Sequence, residues 1–197
     1  MHTIVSAEMI AAQISQWPSP ALIGIDGLPC SGKSTLADTL KKSLRLNSIE
    51  LDDFALPESE WPPGNRPSFP FPFVRYEAFL QAIRNLATKG ECSFYPFDWK
   101  TLAISDQLRT IMLSTSVVVE GVSALHPSIC DLYRLRVFVE SDRTSTFQAA
   151  MARGDKDWAK QWEEFFLPST DLYMQTNPKG RADLIVAGRG ASIRAYG

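Results

Sequence analysis

The chain is predicted to fold as an α/β protein built on about five parallel strands. Short apolar runs alternate with segments of helical spacing along the chain. The intervals between the runs suit right-handed crossover connections. One run, Ser116 to Glu120 (Ser-Val-Val-Val-Glu), has the composition of a strand buried on both faces.

From the N-terminus, Ile10, Ala11 and Ile14 recur at helical intervals, and Pro18 and Pro20 close that segment. Ala21 to Asp26 reads as a buried strand and Gly27 to Gly32 as a loop. Lys33 to Leu44 follows as a helix, with Leu36, Leu40 and Leu44 on one face. Asn47 to Leu51 is a second strand, ending at Asp52-Asp53. Prolines 57, 62, 63, 67, 70 and 72, mixed with Trp61, Phe69 and Phe71, exclude a regular helix or central strand. That segment is either a surface loop or a wall of a ligand pocket.

Beyond it, Val74 to Thr88 is predicted helical, with a stop near Gly90, and Glu91 to Asp98 extended. Ser105 to Leu113 is predicted to be a short helix. Leu135 to Val139 and Ala182 to Ala187 read as strands. Thr144 to Ala152 and Trp158 to Phe166 read as helices, with Pro168 breaking the chain after the second.

The 197 residues suit one domain with a small lid. The formal charge is −2 and no long basic run occurs, which argues against a duplex nucleic-acid partner. No apolar run is long enough to span a bilayer, and Met1 to Trp17 lacks the pattern of a signal peptide. Three cysteines, Cys30, Cys92 and Cys130, show no paired spacing, so a reducing cytoplasm is the expected location. Cys30 reads as a small neutral filler, with a redox switch as the alternative. Oligomeric state is not legible; a homo-oligomer stays open.

Chemistry concentrates in Gly27-Leu28-Pro29-Cys30-Ser31-Gly32-Lys33-Ser34, followed by Thr35, which fits G-x-x-x-x-G-K-[ST] at every fixed position. Such a loop curls so that backbone N–H groups face phosphate oxygens, and the helix that follows favours an anion at its N-terminus. Lys33 would reach the β and γ phosphates of ATP, and the Ser34 hydroxyl suits Mg²⁺. A ligand-free glycine turn between strand and helix is the alternative.

Three carboxylates are candidates for the rest of a phosphoryl-transfer site. Asp52 ends the second strand and could accept or align a hydroxyl proton; a helix cap or turn is the other reading. Glu120 ends the most buried strand and needs a partner, either Mg²⁺ or an arginine. Asp98, among Phe94, Tyr95, Phe97 and Trp99, could read the edge of a stacked ring, or simply cap a core edge.

Together these residues resemble the uridine kinase and phosphoribulokinase branch of P-loop kinases, which includes nicotinamide riboside kinase and bacterial pantothenate kinase. Ile23 to Thr35 resembles the family's strand and phosphate loop, Asp52-Asp53-Phe54 its D-x-F motif, and Phe97-Asp98-Trp99 its Y-D segment. Glu120-Gly121 resembles its E-G motif and Ala182 to Val186 its last strand. The resemblance implies a three-layer P-loop NTPase fold, with an N-terminal helix on a five-stranded parallel sheet and a helical lid over about 143–175.

It also implies Asp52 as the base and Glu120 as a metal residue. Asp52 could share the metal, and Asp53, Phe54, Asp98 and Trp99 would contact the substrate. The implied activity moves the γ-phosphate of ATP, with Mg²⁺, to a hydroxyl of a small molecule, nucleoside-like on this resemblance. A pantothenate- or sugar-type kinase and a catalytically weak ATP-binding regulator stay as alternatives.

Two departures stand out. The family lid often reads R-R-x-x-R-D, and here only Arg153 remains of its arginines, with Arg143, Lys156 or Lys160 as substitutes. No histidine follows the Y-D segment, which weakens a specific expectation of uridine. A guanine-reading N-K-x-D, the mark of a GTPase switch, is absent.

Overall fold

The structure is a computed structural model, and it describes residues 5–64, 66–152 and 158–191. Its centre is a parallel sheet of β1 (Leu22–Gly27), β2 (Asn47–Glu50), β7 (Val117–Glu120), β8 (Leu135–Glu140) and β9 (Leu184–Ala187). Their order across the sheet is β2-β7-β1-β8-β9, with β1 in the middle. All four pairings are parallel, so every strand ends at the same edge, where α/β folds place their ligands.

Alternation along the strands sorts side chains to two faces. Ile23, Ile25, Val118, Val137 and Val139 meet Ile10 and Ile14 of α1 (Ala7–Ser15) and Leu36 and Leu40 of α2 (Lys33–Leu44). Leu22, Val117, Val119 and Phe138 belong to the opposite core with Phe79, Ile83 and Leu86 of α3 (Tyr76–Lys89). The result is helix, sheet, helix, as the sequence predicts. Each buried Leu, Ile or Phe in these layers contributes about 1.5–3 kcal/mol relative to exposure.

Local chemistry sets the helix ends. Ser6 caps α1 through Met9 N, Lys41 and Lys42 lie in the last turn of α2 where the dipole favours cations, and Gly90 closes α3 with φ of 76°.

Two expectations need correction. Ser105 to Leu113 is not a helix. It contains β6 (Arg109–Met112), which pairs antiparallel with β3 (Glu91–Phe94), while β4 (Phe97–Asp98) pairs with β5 (Ala103–Ile104) between them. Ile111 is buried and its neighbours Thr110 and Met112 are exposed, a period of two that so short a run obscures. Nor does Pro168 break the chain after Phe166. α4 (Arg143–Ala152) precedes the undescribed residues 153–157. After them α5 (Ala159–Gln161), a π turn over Trp162–Phe166 and α6 (Leu167–Met174) run on continuously. Pro168, with no N–H to donate, enters the first turn of α6 at the change of register from the wider π turn.

The proline-rich segment runs largely along the surface, pinned by its aromatic side chains. Trp61 meets Trp158, Phe165 and Phe166 at centroid distances of 5.3 to 5.9 Å, and Phe73 meets Phe165 and Phe166. A last short helix, α7 (Pro178–Arg181), leads into β9.

Candidate active site

The phosphate loop leaves the carboxyl end of β1, and its curl is built from positive φ at Gly27 (149°), Cys30 (56°) and Gly32 (110°). Gly27 has no room for a side chain: a Cβ there would lie 2.5 Å from the Val139 carbonyl oxygen. Ser31 is fully buried, and its hydroxyl has no hydrogen-bond partner among the described residues. Such an orphan hydroxyl in a tightly curled loop at a helix N-terminus suits an anionic ligand. The far side is closed by the chain after β9, where Arg189 N donates to Ser31 O at 3.1 Å.

Lys33 opens α2 and is 95% buried. Its ammonium donates to Leu28 O at 2.8 Å and stands 3.9 Å from Glu120 Oε1. The Ser34 hydroxyl donates to Glu120 Oε2 at 3.2 Å. Lys33, Ser34 and Glu120, nominated separately from sequence, therefore meet at one point. Burial pushes the Glu120 carboxyl up to about 7, against the pull of Lys33, and the charges of Asp52 and Glu50 push the same way as burial. A carboxylate paired with a hydroxyl and a cation at a strand end suits a hard divalent ion, with Ser34 as its neighbouring oxygen.

Gly121 explains how the next element reaches this point. Its φ is 154°, and a Cβ there would collide with Leu51 Cβ. The end of β7 thus lies directly against the 3₁₀ turn Leu51–Phe54, which carries Asp52 on its exposed side.

That turn is clamped. Asp53 Oδ2 accepts from Glu50 N at 3.3 Å and from Arg109 Nη1 at 2.9 Å. Arg109 Nη2 also donates to Ser48 O at 2.8 Å. Arg75 Nη2 donates to Asp53 O at 2.8 Å and to Tyr95 O at 2.7 Å. Asp53 is nevertheless held above the ordinary carboxylate range, because desolvation outweighs Arg109. Neither arginine was singled out from sequence. Arg109 lay in the segment misread as a helix, so its place in a strand facing Asp53 carried no signal.

An open cleft of roughly 680 Å³ adjoins the turn, with Asp53, Phe97, Asp98, Asp106 and Arg109 among its walls. Asp98 accepts from Lys100 N at 2.9 Å and Thr101 Oγ1 at 3.0 Å, bonds that hold it below its usual range. Two residues nominated for substrate contact stand elsewhere. Phe54 is fully buried between Phe79 and Phe94, because the 3₁₀ turn points it into the core. Trp99 is 59% exposed, packs edge-on against Phe97 and lies outside the cleft walls.

Arg153 and Lys156 lie outside the described residues. Of the other two candidate substitutes, Arg143 is paired with Asp171 at 2.9 Å and Lys160 with Glu164 at 3.9 Å. A further residue went unnoticed in the sequence: Asp26, fully buried beside Gly27, with Tyr173 of α6 donating to it.

This fold and loop find counterparts among known proteins. The chain is 24% identical over 182 residues to uridine kinase of Mycoplasma pneumoniae, covering 84% of each chain. It superposes on a possible uridine kinase from Bacillus stearothermophilus with a TM-score of 0.70, at 21% identity over 91% of this chain and 96% of that one. The chain is thus similar in sequence to uridine kinases and shares the fold of a possible uridine kinase. Within the same fold, a Silicibacter protein provisionally described as a fructose transport system kinase superposes with a TM-score of 0.68, at 14% identity over 92% of this chain and 98% of that one. No protein-family profile matches the chain.

Proposed function

We propose that this uridine kinase-like protein is an ATP-dependent phosphotransferase that moves the γ-phosphate to a hydroxyl of a small, nucleoside-like molecule. The observation that carries the reading is the meeting of Lys33, Ser34 and Glu120 at the mouth of the phosphate loop, beside the turn that bears Asp52.

Backbone amides of the loop other than those of Gly27 and Ser31, which bond within the protein, cradle the phosphates, and the Lys33 ammonium screens the charge on the transferred group. Ser34 and Glu120, with Asp52 near them, would hold Mg²⁺, which when bound offsets phosphate charge and fixes the orientation of the β and γ groups. Asp52 accepts the proton of the acceptor hydroxyl as its oxygen attacks the γ-phosphorus. A new P–O bond forms, the bond to the β-phosphate oxygen breaks, and ADP leaves with that electron pair. Asp53 serves this turn through Arg109, and Asp98 lines the cleft that adjoins it. Arg153 remains the residue proposed to approach from the 143–175 lid. A cytoplasmic location is part of the same reading and rests on the unpaired spacing of Cys30, Cys92 and Cys130.

The test is ADP release with Mg-ATP across nucleosides, vitamins and sugars. Release that depends on one acceptor class supports the reading. A second reading, an ATP-binding regulator of weak activity, draws on Arg143 and Lys160 being occupied by Asp171 and Glu164. Tight Mg-ATP binding with no acceptor-dependent release favours it.

A further inference from the structure

The Asp26 carboxylate gathers four donors. Its Oδ1 accepts from Gly27 N at 2.6 Å and Ser123 N at 3.2 Å, and its Oδ2 accepts from Leu125 N at 2.7 Å and from the Tyr173 hydroxyl. The three backbone N–H groups and the phenol favour the ionised form, against burial, which pushes the group up from the ordinary carboxylate range. Tyr173, pushed far upward by burial and by the Asp26 charge, remains a phenol and donates.

A buried charge of this kind is weak evidence of a stabilising role, because an apolar residue of like volume often holds a core as well. What it joins is more informative. Gly27 is the first residue of the phosphate loop. Ser123 and Leu125 belong to the turn that follows Glu120, and Ser123 adopts φ of 82°, a left-handed conformation unusual for serine. That conformation accompanies a Ser123 N–H aimed at Asp26. Tyr173 lies near the end of the helical run 159–174, whose middle is packed by Phe165 and Phe166 onto Trp61 and Phe73. Arg143 of α4 grips the same run through Asp171.

We propose that Asp26 is a positioning residue that holds the phosphate loop, the turn behind Glu120 and the helical run in one register, with Tyr173 as the tie that couples that run to the phosphate loop. The proposal rests on the phosphotransfer reading for its effect on turnover, and on nothing but nucleotide binding for its effect on coupling.

Tyr173→Phe removes the hydroxyl and keeps the ring, leaving three backbone donors on Asp26. With folding verified by circular dichroism, acceptor-dependent kcat falls tenfold or more while the Kd for Mg-ATP stays within threefold. Asp26→Asn offers an NH₂ where donors need an acceptor, so it raises that Kd about tenfold as well. Amide hydrogen exchange gives a readout that does not require turnover. In the wild-type protein Mg-ATP slows exchange in 27–34 and in α6; in Tyr173→Phe the slowing is confined to 27–34.

A lower Tm with kcat and Kd unchanged at a temperature where the variant is folded makes the tie merely structural and overturns the proposal. So does equal slowing of α6 in both proteins, or a wild-type α6 that ignores Mg-ATP. If the wild-type protein binds Mg-ATP but transfers to no acceptor, the phosphotransfer reading fails and the exchange result alone decides the coupling. Should Asp26→Asn not fold, Tyr173→Phe carries the test.

Discussion

Ser34 donates its hydroxyl to Glu120 at 3.2 Å, joining the first turn of α2 to the end of β7 across 86 residues of chain. The contact depends on the parallel sheet, which brings every strand end to one edge. It also leaves a carboxylate buried beside a single cation, and that has a consequence for pH.

Glu120 has its carboxyl raised from 4.5 to about 7 in the fold. The folded protein therefore binds this proton more tightly than the unfolded chain. Its contribution to stability is complete below about pH 4.5 and is lost as pH rises through 7. Urea unfolding of the ligand-free protein at pH 5 to 8 is expected to show this decline, on the order of 3 kcal/mol at most. Asp26, also raised, adds a decline of the same sign, so the comparison with Glu120→Gln isolates the Glu120 part. The variant has the shallower profile; equal slopes would refute the assignment. Mg-ATP affinity in the wild-type protein should strengthen from pH 6 to 8 as the carboxylate ionises.

Gly27→Ala places a Cβ 2.5 Å from the Val139 carbonyl at a φ of 149°. The expected cost is about 2–4 kcal/mol, together with loss of Mg-ATP binding. Thermal unfolding and calorimetric titration measure the two. A variant with native stability and affinity would contradict the tight loop described.

Arg109→Ala leaves Asp53 without its ion pair at the edge of the cleft. The acceptor KM is expected to rise tenfold or more while the ATP KM stays within threefold. Steady-state kinetics with each substrate varied in turn decide it, and an equal rise in both KM values would move Arg109 away from the acceptor side.

Phe54→Ala empties a fully buried site between Phe79 and Phe94 and should cost about 3–5 kcal/mol by urea unfolding. Phe54→Leu should keep most of that stability and leave the acceptor KM unchanged. A large KM change in the leucine variant would return Phe54 to substrate contact.

These contrasts mark where sequence reading worked. The long periodic elements were legible: Leu36 and Leu40 announced α2, and Val117 to Val119 announced the buried β7, because burial imposes a period or an unbroken run. Lys33, Ser34 and Glu120 were legible for a chemical reason, since phosphate binding restricts residue type at fixed spacing. The antiparallel excursion over 91–112 was not, because four short strands carry little period and owe their shape to pairing. Pro168 misled because the π turn that accommodates it leaves no mark in composition. Asp26 and Arg109 escaped for a third reason: their partners Tyr173 and Asp53 lie 147 and 56 residues away, and only the fold brings them close.

The central claim is that Asp52 acts on the acceptor beside a nucleotide held by the loop around Lys33. Pairing Mg-ATP titration with acceptor-dependent turnover in Asp52→Ala tests it most directly. The account predicts an ATP Kd within threefold of wild type and turnover lower by orders of magnitude, about 10²–10⁴-fold. Undiminished turnover in that variant would remove Asp52 as the base and contradict the account.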